Sequence, residues 1–153
     1  MNIKIVCVGN IKEKFFREAC DEYIKRIGRF GKINITEIKE CRGTGEAQNV
    51  EAEGRLILKN LSKTDFNVAL CVEAKQLSSE ELAQLFEEKS VSGTSCVTFV
   101  IGGSDGLSDE VKNFCDFKLG FSKMTFPHQL MRVVLLEQVY RAFKIANNES
   151  YHK

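Results

Sequence analysis

Two stretches, NVALCV (67–72) and SCVTFVIG (95–102), constrain the fold more than any other part of the chain, because they are nearly continuous apolar runs of strand length. A strand with one wet face alternates polar and apolar residues. One that is apolar throughout is covered on both faces, as in a parallel sheet held between helices. Between the two runs, LSSEELAQLFEEK carries a helix signature: Ser78 or Ser79 serves as cap, and the first turn is acidic, as the helix dipole favours.

The rest of the chain continues this alternation. NIKIVCV (2–8) is a β-rich run closed by Gly9, and KEKFFREACDEYIKRIG then sets Phe16, Cys20, Tyr23, Ile24 and Ile27 at helical spacing. KINITEIKE (32–40) reads as a half-buried strand and CRGTGEAQ (41–48) as a flexible loop. Residues 47–62 read as a helix with Val50, Leu56, Ile57 and Leu61 inward despite Gly54, followed later by a short helix from Ser108 and a short strand near Phe117–Phe121. A long helix starts near Pro127. The expectation is an α/β fold, one domain over residues 1–153, with a mainly parallel sheet flanked by helices on both faces.

Composition excludes several classes. With 43% hydrophobic and 28% charged residues and a single proline, the chain reads as a soluble globular protein of the cytoplasm, with no membrane partner. No apolar stretch is long enough to span a bilayer, and MNIKIVCVGN lacks the pattern of a signal peptide. Six cysteines without a CxxC pair, three of them (Cys7, Cys71, Cys96) inside strand-like runs, read as reduced core residues, and the two distant histidines give no metal site. The net charge of +1 is unevenly spread: residues 1–72 carry +3, 73–117 carry −6 and 118–153 carry +4. A basic surface forms if the two ends of the chain meet in space.

IGGSDGLSDE (101–110) leaves a buried strand, turns on glycines and enters a helix, the position at which open α/β sheets bind ligands. Its glycines fall at 102, 103 and 106, so neither the dinucleotide pattern GxGxxG nor a P-loop is met, and a plain tight turn stays open as an alternative. In HQLMRVVLLEQVYRAFKIAN, one stripe takes Leu135, Leu136, Val139 and Phe143 and another Met131, Val134, Ala142 and Ile145. A helix apolar on two sides points to its own sheet on one and a second subunit on the other. Just before it, FSKMTFPH is a loop fixed by Pro127, which holds Phe126 extended, so that backbone N–H and C=O groups are available to a small molecule. His128 reads as structural or as a reserve proton acceptor.

VIGGSDGL, FSKMTFPHQLMRVVLLEQVYRAFKI, the terminal YHK and the opening KIVCVGNIKEKF together closely resemble the RlmH family of ribosomal RNA methyltransferases, small members of the SPOUT class. The resemblance covers essentially the whole chain. It implies a SPOUT-type α/β domain with a C-terminal trefoil knot, and a homodimer that uses S-adenosylmethionine to methylate N3 of a pseudouridine in 23S rRNA within the assembled ribosome. By matching position it implies a cofactor pocket built from Leu70, Gly102, Gly103, Phe121, Ser122, Lys123, Met124, Thr125 and Phe126, with no metal. One departure stands out. After the leucine the family carries an acidic residue and a glycine, whereas this chain reads LCVEAKQ, with Cys71 and Ala74.

For catalysis the resemblance points to the tail: His152 as proton acceptor, Tyr151 placing it, and Arg141 on phosphate or developing negative charge. The alternative for Arg141 is an ion pair with Glu137 one turn earlier. The tail residues are otherwise RNA contacts, or a frayed end. The rival function class is a ribosome- or RNA-binding protein that has kept the fold without the activity.

Overall fold

In the computed structural model, which describes residues 1–151, the chain runs β1 (Asn2–Val8), α1 (Lys14–Ile27), β2 (Ile33–Ile38), α2 (Glu46–Leu58), β3 (Phe66–Gln76), α3 (Ser79–Val91), β4 (Cys96–Ile101), α4 (Asp109–Phe114), β5 (Phe117–Gly120) and α5 (His128–Ala146). All five strands are parallel, in the order β2-β1-β4-β3-β5. The two apolar runs are thus β3 and β4, adjacent and interior, while the alternating run is the edge strand β2. Helices cover both faces. Ile3, Ile5, Val68, Val97 and Phe99 pack with α1, α3 and α5, and Val6, Val8, Ala69 and Val100 pack with α2 and α4. Each fully buried residue of this kind contributes roughly 1.5–3 kcal/mol over its exposed state.

Capping follows the sequence closely in α3, where Ser78 accepts from the N–H of Glu81 at 3.1 Å and the Glu81 carboxylate accepts from the N–H of Ser78 at 2.7 Å. In α5, Pro127 is the cap residue rather than part of the first turn: its ψ of 136° is extended, and its carbonyl accepts the N–H of Met131 at 2.9 Å.

Two expectations change. The helix read over 47–62 ends at Leu58, because the N–H groups of Asn60 and Leu61 turn back to the carbonyls of Ile57 and Leu58 three residues earlier. Its inward residues are Asn49, Glu53, Gly54 and Ile57, with Val50, Leu56 and Leu61 only half-buried. Gly54 is the crossing point of α2 and α4: a Cβ there would lie 2.5 Å from Oγ of Ser108, the cap of α4.

The second correction concerns α5. It lies on the sheet between α1 and α3, and both apolar stripes are largely covered within the chain. Val139 is fully buried and Phe143 nearly so, with the Phe143 ring stacked 5.6 Å from Phe30 and tilted 5.4 Å from Phe86. Most of the apolar circumference taken as the mark of a subunit interface belongs to a helix seated in a groove between two others.

Candidate active site

The carboxyl edge of the sheet holds a cavity of ≈ 260 Å³, built by the ends of three strands. From β4 comes the turn 102–107. Gly106 takes a φ of +81°, open to glycine at little cost, and its N–H donates to the Gly103 carbonyl at 3.1 Å. The turn folds back tightly enough that a Cβ on Gly102 would lie 2.7 Å from the Gly106 carbonyl carbon and oxygen, and one on Gly103 would lie 3.0 Å from Val8.

From β3 comes an arch. The strand pairs with β5 through Leu70, leaves the ladder, and rejoins it at Lys75, so residues 71–74 bulge out, and Cys71, Val72 and Glu73 form one wall. β5 runs close against this bulge: a Cβ on Gly120 would meet the carbonyl oxygens of Ala74 at 2.7 Å and Cys71 at 3.2 Å. The loop after β5 supplies the third side, with its turn held by the Met124 N–H donating to Ser122 Oγ at 3.0 Å.

Of the residues expected in the pocket, Leu70, Gly102, Gly103, Phe121, Ser122, Met124, Thr125 and Phe126 all line this cavity. Lys123 is exposed and is not among them. The pattern reading passed over Leu107, Leu119 and Met131, which with Cys71 make much of the apolar wall, and the pair formed by Lys112 Nζ and Glu73 Oε1 at 3.1 Å. Only the sheet register brings these to one place. Cys71, one of the two departures from the family pattern, is a wall residue whose thiol burial pushes up, whereas Ala74 packs by its carbonyl against β5.

His128 lies at the junction of α5 and the cavity wall, its Nε2 3.6 Å from where a Cβ on Gly9 would be. This accounts for a proline and a histidine at the mouth of an almost wholly buried helix. Pro127 stops the loop from continuing the helix backwards, and His128 seals the gap between the cavity and the end of β1.

A second cluster forms at the other end of α5. The Glu137 carboxylate accepts from Arg141 Nε at 3.0 Å, Arg141 Nη2 at 2.6 Å and the Tyr151 hydroxyl at 3.2 Å, and the Arg141 guanidinium lies 4.6 Å from the centre of the Tyr151 ring. Arg141 therefore makes the pair with Glu137 that was its alternative role, and that bond raises its pKa. Burial first, and Glu137 next, push the Tyr151 hydroxyl up to about 12. The tail turns back at Asn148 (φ 53°), and Tyr151 packs edge-on against Tyr140 at 4.9 Å, so up to that residue it is docked rather than frayed. His152 lies outside the described residues. Glu137 and Arg141 stand six and ten residues beyond Met131 on α5, about 9 and 15 Å along its axis, and none of Glu137, Arg141 and Tyr151 lines the cavity.

The chain matches over residues 1–152 the family described as "Predicted SPOUT methyltransferase". It is 50% identical to the ribosomal RNA large subunit methyltransferase H of Clostridium botulinum (strain Kyoto / Type A2) and 51% identical to that of Bifidobacterium animalis subsp. lactis (strain AD011), each over 159 aligned positions covering 100% of both chains. Among solved structures, a probable methylase family protein from Haemophilus influenzae Rd KW20 shares the fold, with a TM-score of 0.57 at 14% identity over 99% of this chain and 70% of that one. No helix among the described residues is long and apolar enough to cross a membrane, and no metal-ligand cluster occurs among them. Because the family match runs nearly from end to end and relatives half identical in sequence cover the full length, this chain belongs to the SPOUT methyltransferase family.

Proposed function

We propose that this protein transfers the methyl group of S-adenosylmethionine to N3 of a pseudouridine in 23S rRNA of the assembled ribosome, acting in the cytoplasm as a homodimer whose C-terminal part is threaded as a trefoil knot. The observation that carries this is end-to-end identity of 50–51% with chains named for methylation of large-subunit ribosomal RNA.

The cavity suits such a cofactor. Leu70, Ile101, Leu107 and Leu119 offer an apolar slot for a flat base, and the glycine turn and the 121–126 loop present backbone groups at its rim. That is the usual balance of a small-molecule site, apolar walls with few polar groups.

S-adenosylmethionine supplies, when bound, an electrophilic methyl on a sulfonium, which leaves as a neutral thioether. The chain must align the attacking nitrogen and remove its proton. Holding reacting atoms ~3–3.5 Å apart is worth ~7–11 kcal/mol, and a positioned base adds roughly 10²–10⁴-fold. Glu137 fixes the Arg141 guanidinium and the Tyr151 ring, and so sets where the tail leaves the body of the protein; His152, one residue further, is the proposed proton acceptor. None of Glu137, Arg141 and Tyr151 lines the cavity, and in the homodimer the tail of one copy serves the cavity of the other.

The reading is tested by titrating the chain with S-adenosylmethionine in a calorimeter and by assaying methyl transfer to ribosomes from a strain lacking it. Saturable binding with transfer to 23S rRNA is expected. Ribosome binding without cofactor binding would instead favour the non-catalytic alternative.

A further inference from the structure

Beside the cofactor cavity, at the same edge of the sheet, the ends of β1 and β2 enclose a second cleft whose rim includes Asn10, Lys12, Lys39 and Arg42. The two hollows share a partition. His128, a wall of the cavity, packs on Gly9 of the cleft, and Ser104 Oγ of the cavity donates to Glu40 Oε1 of the cleft at 3.3 Å.

The charges of the cleft are not balanced. Its two carboxylates are each held by an arginine: Glu37 Oε1 by Arg132 Nη1 at 2.6 Å, and Glu40 Oε2 by Arg42 Nη2 at 2.7 Å. The side chains of Lys12 and Lys39 are exposed and make no hydrogen bond or ion pair among the described residues. In the cavity the situation is the reverse, since the only lysine or arginine among its described lining residues, Lys112, is paired with Glu73.

The cleft is also rigid. The Gly9 carbonyl accepts from Arg132 Nη2 at 3.0 Å, the Gly9 N–H donates to the Ile38 carbonyl at 2.8 Å, and the Lys12 N–H donates to Gln129 Oε1 at 3.0 Å. Arg132 and Gln129 stand on the first turns of α5, directly after His128, so the cleft and the cavity wall are fixed to one element.

We propose that this cleft holds the sugar–phosphate backbone of RNA beside the nucleotide being methylated, with Lys12 and Lys39 on phosphate oxygens and Asn10 within reach of a sugar or base edge. This rests on the ribosomal RNA reading above. A base delivered to the cavity brings a polyanionic backbone with it, and unpaired cations next to the cavity are what such a backbone needs. Backbone contacts of this kind fix register and orientation without reading sequence.

Lys12→Ala/Lys39→Ala, Lys39→Ala and Lys39→Glu are compared with the unaltered chain in three measurements: binding of a labelled single-stranded RNA over a salt series, KM and kcat for ribosomes, and affinity for S-adenosylmethionine. Both lysines are exposed, so the variants fold. The double variant is expected to bind RNA several-fold more weakly and to lower the slope of log K against log salt by about 1.4, two phosphate contacts at roughly 0.7 each. Its KM should rise while kcat and cofactor affinity hold, and Lys39→Glu should be worse than the loss of Lys39 alone. Unchanged RNA affinity, salt slope and KM, with ribosomes still methylated, would overturn the cleft and leave the enzymatic reading standing. Weaker RNA binding by the variants, with no methylation of ribosomes even by the unaltered chain, would keep Lys12 and Lys39 as RNA contacts but overturn the enzymatic reading and, with it, the placing of the cleft beside a methylated nucleotide.

Discussion

Arg132 Nη1 lies 2.6 Å from Glu37 Oε1, although the arginine side chain is 1% exposed and the glutamate 44%. A cation at the base of α5 is thus neutralised from the end of β2, across the end of β1, and the contact ties together three elements that meet at the site. The Arg132 Nε has no partner among the described residues, so the guanidinium leans heavily on this one carboxylate and on the Gly9 carbonyl. Cleaving such a pair leaves a buried charge uncompensated, which costs about 3–5 kcal/mol when both groups are enclosed.

Glu37→Ala should therefore destabilise the fold by about 3 kcal/mol, the lower end of that range, because water reaches the carboxylate. Arg132→Met, which removes the charge as well as the pair, should cost less. Urea unfolding of both variants measures this, and a midpoint for Glu37→Ala equal to that of the unaltered chain contradicts it.

Gly102→Ala should lose S-adenosylmethionine affinity by about ten-fold or more, because its Cβ at 2.7 Å from the Gly106 carbonyl forces the turn open. The larger Gly102→Val should act in the same way, through the turn, rather than by filling free space. Ser122→Ala, which gives up one hydrogen bond worth about 0.5–1.5 kcal/mol, should change affinity far less. Calorimetric titration ranks the three, and equal affinities would place the cofactor elsewhere.

A chain ending at Ser150 should keep its cofactor affinity and lose methyl transfer to ribosomes, since no described residue of the tail lines the cavity. It should also be slightly less stable, because the Tyr151 ring leaves its place on Tyr140 and Arg141. His152→Ala should lower the rate at saturating ribosome; a change confined to KM would make that side chain an RNA contact. Transfer by the truncated chain at the unaltered rate would remove the tail from catalysis.

The Tyr151 hydroxyl, raised from 10.0 to about 12, holds its proton more tightly in the folded chain than in the unfolded one. Its contribution to stability is therefore fully present below pH 10 and is lost as pH rises from 10 towards about 12. The thiols of Cys7 and Cys20, raised by burial to about 11, add a loss in the neighbouring range, so Tyr151→Phe against the unaltered chain isolates the tyrosine. The stability difference between the two should narrow above pH 10. Parallel curves from pH 8 to 12 would mean that Tyr151 ionises as freely in the folded chain as in the unfolded one.

Periodicity and residue type determined the local elements. β-branched and apolar runs gave strands, three-and-four spacing gave α1, and a serine ahead of an acidic first turn gave the cap of α3. The glycine turn and the proline-fixed loop were legible as ligand-binding segments because positive φ and fixed φ need those residue types. Order, register and depth were not legible. That β5 pairs with β3 rather than lying beside β4, that the 71–74 bulge packs its carbonyls against Gly120, and that Arg132 is buried in an apolar helix depend on contacts between residues far apart in sequence. The amphipathic pattern of α5 says how much of its surface is covered, but not by what. Tertiary packing answered α1, α3 and the sheet, because hydrophobic burial is non-directional and rewards any apolar neighbour equally.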